Sequence, residues 1–132
     1  MKILILEDEL TARLLLQKML SEFGDVDAVV NGREAVEMFE ESAQNGALYN
    51  MVCLDIMVPE MDGHEVLRRI RTIEEEYGLD GLDKRAKVVM ITALNDQNNF
   101  MSAFHEQCEG YIFKPFSKEK ILKTMKQLGL ID

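Results

Sequence analysis

The sequence predicts an α/β fold, a five-stranded parallel sheet that is doubly wound, with helices on both faces. Three observations carry this. Short apolar runs alternate strictly with longer segments whose apolar residues recur at helical spacing. The clearest runs are apolar throughout, as strands buried on both faces must be. Several of them stop abruptly at polar residues, where a buried strand emerges into water.

The first run, Lys2–Leu6, is apolar after its lysine and stops at Glu7-Asp8-Glu9. Leu10–Phe23 reads as a helix whose stripe is Leu15, Met19, Leu20 and Phe23, with Gly24 as its stop. Val26–Val30 is a second, weaker strand. Asn31 caps a helix over about Gly32–Ala43, with Glu34 in the capping-box position and Ala35, Val36 and Phe39 turned inward. Asn45-Gly46 breaks it. Met51–Leu54 is the third strand and ends at Asp55, and the loop to Gly63 carries Pro59 and Asp62-Gly63. Asp62 with Glu65 caps the next helix, where Val66, Leu67, Ile70, Ile73 and Tyr77 form an apolar stripe. Its other face is charged, with Arg68, Arg69, Arg71 and Glu74–Glu76, and the three glutamates read as solvated. Gly78–Ala86 is a polar connector. Lys87–Ile91 is the fourth strand, ending at Thr92, and a helix is expected over Asp96–Gln107. Tyr111–Phe113 is the fifth strand. Ser117 caps a last helix containing Ile121, Leu122, Met125 and Leu128.

A chain of 132 residues allows one domain and buries about two-thirds of its unfolded surface. Fifteen Lys and Arg against 24 Asp and Glu give a net charge of −9, which argues against nucleic acid as a direct partner. Cys53 and Cys108 lack metal-ligand spacing, and Cys53, inside an apolar run, is expected to be a buried reduced thiol. The first apolar run is too short for a signal peptide, and no stretch reaches about 18 apolar residues. A soluble cytoplasmic protein without a membrane partner is expected.

In such a sheet, ligands bind at the carboxyl ends of the strands, where strand order reverses. Those ends carry Glu7-Asp8, Asp55, Thr92 and Lys114. Three clustered carboxylates repel one another and need a compensating cation. Oxygen ligands with water positions left over suit Mg2+. An ammonium and a hydroxyl beside them suit a phosphoryl group.

The order Glu7-Asp8, then Asp55-Ile56-Met57-Val58-Pro59-Glu60-Met61-Asp62-Gly63, then Thr92-Ala93, then Lys114-Pro115-Phe116 resembles the receiver domain of bacterial two-component response regulators. The resemblance covers residues 2 to 128, and is nearest in function to single-domain regulators, so 1–132 reads as one receiver domain of flavodoxin-like (βα)5 fold. It implies Asp55 as phosphoacceptor and Mg2+ held by Glu7 (through water), Asp8, Asp55 and the Met57 carbonyl. It further implies that Lys114 pairs with the phosphoryl oxygens, that Thr92 swings toward them, and that Tyr111 follows inward as an aromatic switch. Tyr111 equally suits a plain core role. Pro115 resembles a residue that follows a cis peptide bond.

The resemblance implies a phosphorylation-activated signalling switch, with phosphoryl arriving from a sensor histidine kinase or a histidine phosphotransfer protein. It is not an enzyme in the usual sense, though it would catalyse its own Mg2+-dependent phosphoryl transfer and slow autodephosphorylation. Two departures stand out. The stretch between Asp55 and Thr92 is about two helical turns longer than usual, most easily placed in Glu74–Arg85. Met57 and Leu94, which flank the path of an attacking water, are apolar, so a long-lived phosphate is expected.

Phe100, Met101, Ala103 and Phe104 exceed what one buried helix face requires. An output or dimer face over Met101, Phe104, Tyr111 and Lys123 is therefore expected, serving a downstream protein target or a phosphorylation-dependent homodimer. Lys118, Lys120, Lys123 and Lys126 suit a solvated face or a docking stripe, while His64 and His105 read as surface residues. A pseudo-receiver that never takes phosphate fits poorly with the intact acceptor set. A small hydrolase using an aspartyl-phosphate would need a carboxylate where Met57 stands. A flavodoxin-type cofactor binder would need a phosphate-cradling loop where Glu7-Asp8-Glu9 is the wrong charge.

Overall fold

A computed structural model describes residues 1–58, 60–81, 83–93 and 108–132. Five strands, β1 (Lys2–Leu6), β2 (Asp25–Val29), β3 (Met51–Asp55), β4 (Lys87–Ala93) and β5 (Gly110–Lys114), form one parallel sheet in the order β2-β1-β3-β4-β5. The described helices are α1 (Leu10–Leu20), α2 (Gly32–Asn45), α3 (Gly63–Glu76) and α4 (Lys118–Gln127). The helix expected over 96–107, with Leu94, Phe100, Met101, Phe104 and His105, lies outside the described residues.

Side chains of a strand alternate between faces, so a fully apolar run fills two cores at once. Ile3, Ile5, Met51, Cys53, Val89 and Ile91 pack with Leu16 and Leu20 of α1 and Ile121 and Met125 of α4. Leu4, Leu6, Val52, Leu54, Val88 and Met90 pack on the other face with Ala35 and Phe39 of α2 and the α3 stripe. Strand order reverses between β1 and β3, which places the crevice at the carboxyl ends of those two strands.

Caps set the helix starts. The side chains of Asn31, Asp62 and Ser117 accept from Glu34 N, Glu65 N and Lys120 N. Glu34 reaches back to Val30 N at 3.3 Å rather than to the cap residue itself. Cys53 and Cys108 are free thiols, and burial pushes Cys53 up to about 12.

Three sequence expectations need correction. In α1 the buried leucines are Leu16 and Leu20, while Leu15 is 42% exposed beside exposed Leu10 and Leu14. The helix carries so many leucines that periodicity cannot choose its phase, and contact with β1 decides it. Tyr77 caps the end of α3 and is exposed rather than part of the stripe. Glu74 is 2% exposed, not solvated.

The reason for Glu74 lies in the long connector, residues 77–86. Glu74 accepts from Ala86 N at 2.7 Å and from Arg71 Nη1 at 2.7 Å. Arg71 also donates to Ala86 O at 3.1 Å and forks onto Glu109 at 2.8 and 3.0 Å. Glu109 in turn accepts from Arg85 at 2.7 Å and from Val88 N at 2.6 Å. Two carboxylates and two guanidiniums thus bind the connector to α3 and to the start of β5.

Candidate functional site

Glu7 follows β1 directly, and its N–H still donates to Val29 O at 3.1 Å, so the chain reaches the sheet's rim before it turns. The turn is braced from α1. Glu9 N donates to Glu7 Oε2 at 3.1 Å, the Glu9 carboxylate caps α1 at Ala12 N, and Arg13 donates to the carbonyls of Glu7 and Asp8 at 3.1 and 3.4 Å. Sequence reasoning missed Arg13 and Glu9. The available signal was a cap and a cation within one turn of the acid pair.

Asp55 ends β3 and is 4% exposed. Its Oδ1 accepts from Met57 N at 3.0 Å and its Oδ2 from Lys114 Nζ at 2.9 Å. Lys114 ends β5, is joined to Pro115 by a cis peptide, and lies 2.9 Å from Glu7 Oε1 as well. That second contact is an ion pair outside hydrogen-bond geometry, so the buried Glu7 Oε1 has no hydrogen-bond donor. Thr92, buried in β4 one residue beyond the partner of Asp55, donates weakly to Ala93 O at 3.4 Å. The Met57 side chain is exposed. Tyr111 is half-buried against the α2/α3 core, and burial with the neighbouring Cys108 thiol pushes its hydroxyl up. Lys123 and Tyr111 line one cavity of about 250 Å³ between β5 and α4, well outside the acidic cluster.

Carboxylate oxygens of Glu7, Asp8 and Asp55 all lie within 4.8 Å of one another. Burial, and then the neighbouring Asp55 carboxylate, raises Glu7 to about 7. Burial alone would lower Lys114, but the two carboxylates facing it outweigh that and raise it. The donor set is all oxygen, carries excess negative charge and includes a buried oxygen with no donor. These properties fit a hard divalent cation such as Mg2+.

A pH dependence follows. Between pH 4.5 and about 7 the folded chain holds a proton on Glu7 that the unfolded chain has released. This contribution to stability is complete below 4.5 and is lost as pH rises through about 7. Urea unfolding across that window is expected to show the decline, Glu7→Gln to remove it, and added Mg2+ to flatten it. A wild-type profile matching Glu7→Gln would refute it.

Residues 3–126 match the family described as response regulator receiver domain. The regulatory protein VanRB of Enterococcus faecalis is 36% identical over 104 residues, covering 79% of this chain and 40% of that protein. The peroxide stress-activated histidine kinase mak3 of Schizosaccharomyces pombe is 38% identical over 129 residues, 96% of this chain and 5% of that protein. The chain therefore spans less than half the length of these relatives. Among solved structures, a chain of the co-crystal of the Saccharomyces cerevisiae phosphotransfer protein Ypd1 with the receiver domain of its downstream response regulator Ssk1 superposes with TM-score 0.81 and 25% identity, covering 98% of this chain and 89% of that one. The receiver domain of sensor histidine kinase PA1611 from Pseudomonas aeruginosa, described with a magnesium ion coordinated in its active-site cleft, matches at TM-score 0.75 and 23% identity over 97% of both chains. Among the described residues, no helix is long and apolar enough to cross a membrane.

Proposed function

The chain belongs to the response regulator receiver domain family, and from that premise we propose that Asp55 accepts a phosphoryl group from a phosphohistidine. The donor in this reading is a sensor histidine kinase or histidine phosphotransfer protein, met in the cytoplasm. One observation carries the reading. A buried carboxylate, Asp55, faces an ammonium at 2.9 Å and shares a 4.8 Å cluster with Glu7 and Asp8.

In the transfer the histidine N–P bond breaks and an Asp55 O–P bond forms. Such a step asks the protein mainly for positioning and charge neutralisation. Asp8, Asp55, the Met57 carbonyl and Glu7 through water would hold Mg2+, which supplies much of that neutralisation. Lys114 exchanges its contact with Asp55 for one with the phosphoryl oxygens. Thr92, whose present hydrogen bond is weak, turns to donate to them. Tyr111 moves into the space that Thr92 leaves, and the surface at Tyr111 and Lys123 changes for a downstream protein or a second copy of the chain.

The test is incubation with a small-molecule phosphodonor and Mg2+ followed by intact-mass measurement. A single phosphate adduct is expected on the wild type, requiring Mg2+ and absent in Asp55→Asn. An adduct that survives Asp55→Asn refutes the assignment. The slow autodephosphorylation in this reading rests on the apolar Met57 and Leu94. Replacing Met57 with Asn and Leu94 with Glu is expected to shorten the phosphate's life roughly tenfold, about one oriented water's worth of transition-state stabilisation. Unchanged decay would refute that role.

A further inference from the structure

We propose that Met57 is a peroxide-sensitive modification site whose oxidation shortens the life of a phosphate on Asp55. The proposal rests on Asp55 being the phosphoacceptor and adds a chemical control to that site.

Met57 is 62% exposed, the most open of the described methionines. Met51, Met90 and Met125 are fully buried, Met19, Met38 and Met61 are half-buried, and Met1 is 38% exposed. Oxidation of a thioether follows access, so a peroxide in solution reaches Met57 before the core methionines. Its position gives the modification a consequence. The Met57 N–H donates to Asp55 Oδ1 at 3.0 Å, so the side chain leaves the backbone one hydrogen bond from an acceptor oxygen and opens to solvent there. In this proposal, water approaching an acyl phosphate on Asp55 passes this side chain.

The chemistry balances with one named oxidant. The O–O bond of a hydroperoxide breaks, one oxygen bonds to sulfur as a sulfoxide, and the other leaves as water or alcohol. Sulfur gives up two electrons and the peroxide takes them. A thioether sulfur is a poor hydrogen-bond acceptor, whereas a sulfoxide oxygen is a good one. The modified side chain holds a water beside the aspartyl phosphate that the thioether leaves unheld.

The chain is treated with hydrogen peroxide, peptide mapping locates the sulfoxide, and both forms are loaded with a small-molecule phosphodonor and Mg2+. Intact mass then follows the decay of the adduct. Decay roughly fivefold faster is expected when Met57 is oxidised, the scale of one net hydrogen bond in the transition state. Met57→Gln, which carries a permanent acceptor, is expected to decay fast without peroxide. Met57→Leu is expected to decay at one rate before and after peroxide. A methionine sulfoxide reductase is expected to restore the slow decay of the oxidised wild type. Sulfoxide at Met57 with unchanged decay overturns the proposal alone, as does equal acceleration in Met57→Leu. Absence of any Asp55 adduct on the unoxidised chain overturns the phosphoacceptor reading and this proposal with it.

Discussion

Arg71→Ala is expected to lower the folding stability by about 3–5 kcal/mol, the cost of leaving buried charges without their partner. Arg71 is 15% exposed at its side chain and holds Glu74, 2% exposed, at 2.7 Å and Glu109, 17% exposed, at 2.8 Å. Without it Glu74 keeps a backbone N–H but loses its cation, and Glu109 falls back on Arg85. Surface ion pairs contribute about 0–1 kcal/mol, so the size of the loss separates a buried network from a decorative one. A domain of this size has on the order of 5–15 kcal/mol in total, and a large share of it would go. Arg71→Lys keeps the charge but not the fork onto Glu109, and is expected to fall between. Urea denaturation of the three proteins is the measurement. A loss below about 1 kcal/mol for Arg71→Ala would show that the network is solvated after all.

Gly63→Ala is expected to damage both stability and phosphoryl uptake, because one atom would sit between α3 and the end of β3. A Cβ at Gly63 would lie 2.7 Å from the Asp55 carbonyl oxygen, 2.9 Å from Ile56 Cα and 3.2 Å from Asp55 C. These are backbone atoms of Asp55 and Ile56, so no side chain can swing away. The existing Gly63 N–H to Ile56 O bond at 3.1 Å shows how closely the helix start rests there. Overpacking of this kind costs about 1–3 kcal/mol. Displacing Asp55 relative to Lys114 is expected to slow phosphoryl uptake by about tenfold or more, as misplacement by 1 Å does in positioned reactions. Paired measurements of urea midpoint and adduct formation check it. Wild-type uptake with only a lower midpoint would mean that α3 moves and Asp55 stays.

The contrast between these two positions shows where sequence reading stops. Asp62-Gly63 was visible as a turn and a cap, and Asp62 does cap α3. That Gly63 also lies against the Asp55 backbone is a contact that no local pattern announces. Glu74 stood in a run of three identical acids, and nothing local distinguishes it from Glu75 and Glu76. Its partners come from Arg71 one turn back, from Ala86 at the end of the connector, and through Arg71 from Glu109, which lies 38 residues after Arg71. The phase of α1 was illegible for the opposite reason, a surplus of leucine.

By itself the sequence determined the five strands, their parallel arrangement and the order of the residues at their ends. Apolar runs of strand length can be buried only in a two-faced sheet, and acids that end such runs must lie on its rim. The tertiary structure alone decided how those ends interact. It placed the Lys114 ammonium 2.9 Å from both Glu7 and Asp55, raised Glu7 to about 7, and turned two exposed-looking charges of α3 into a buried clamp. Those outcomes depend on distances between groups far apart in the chain and on the water removed around them. Neither quantity is local, and both enter electrostatic energies directly.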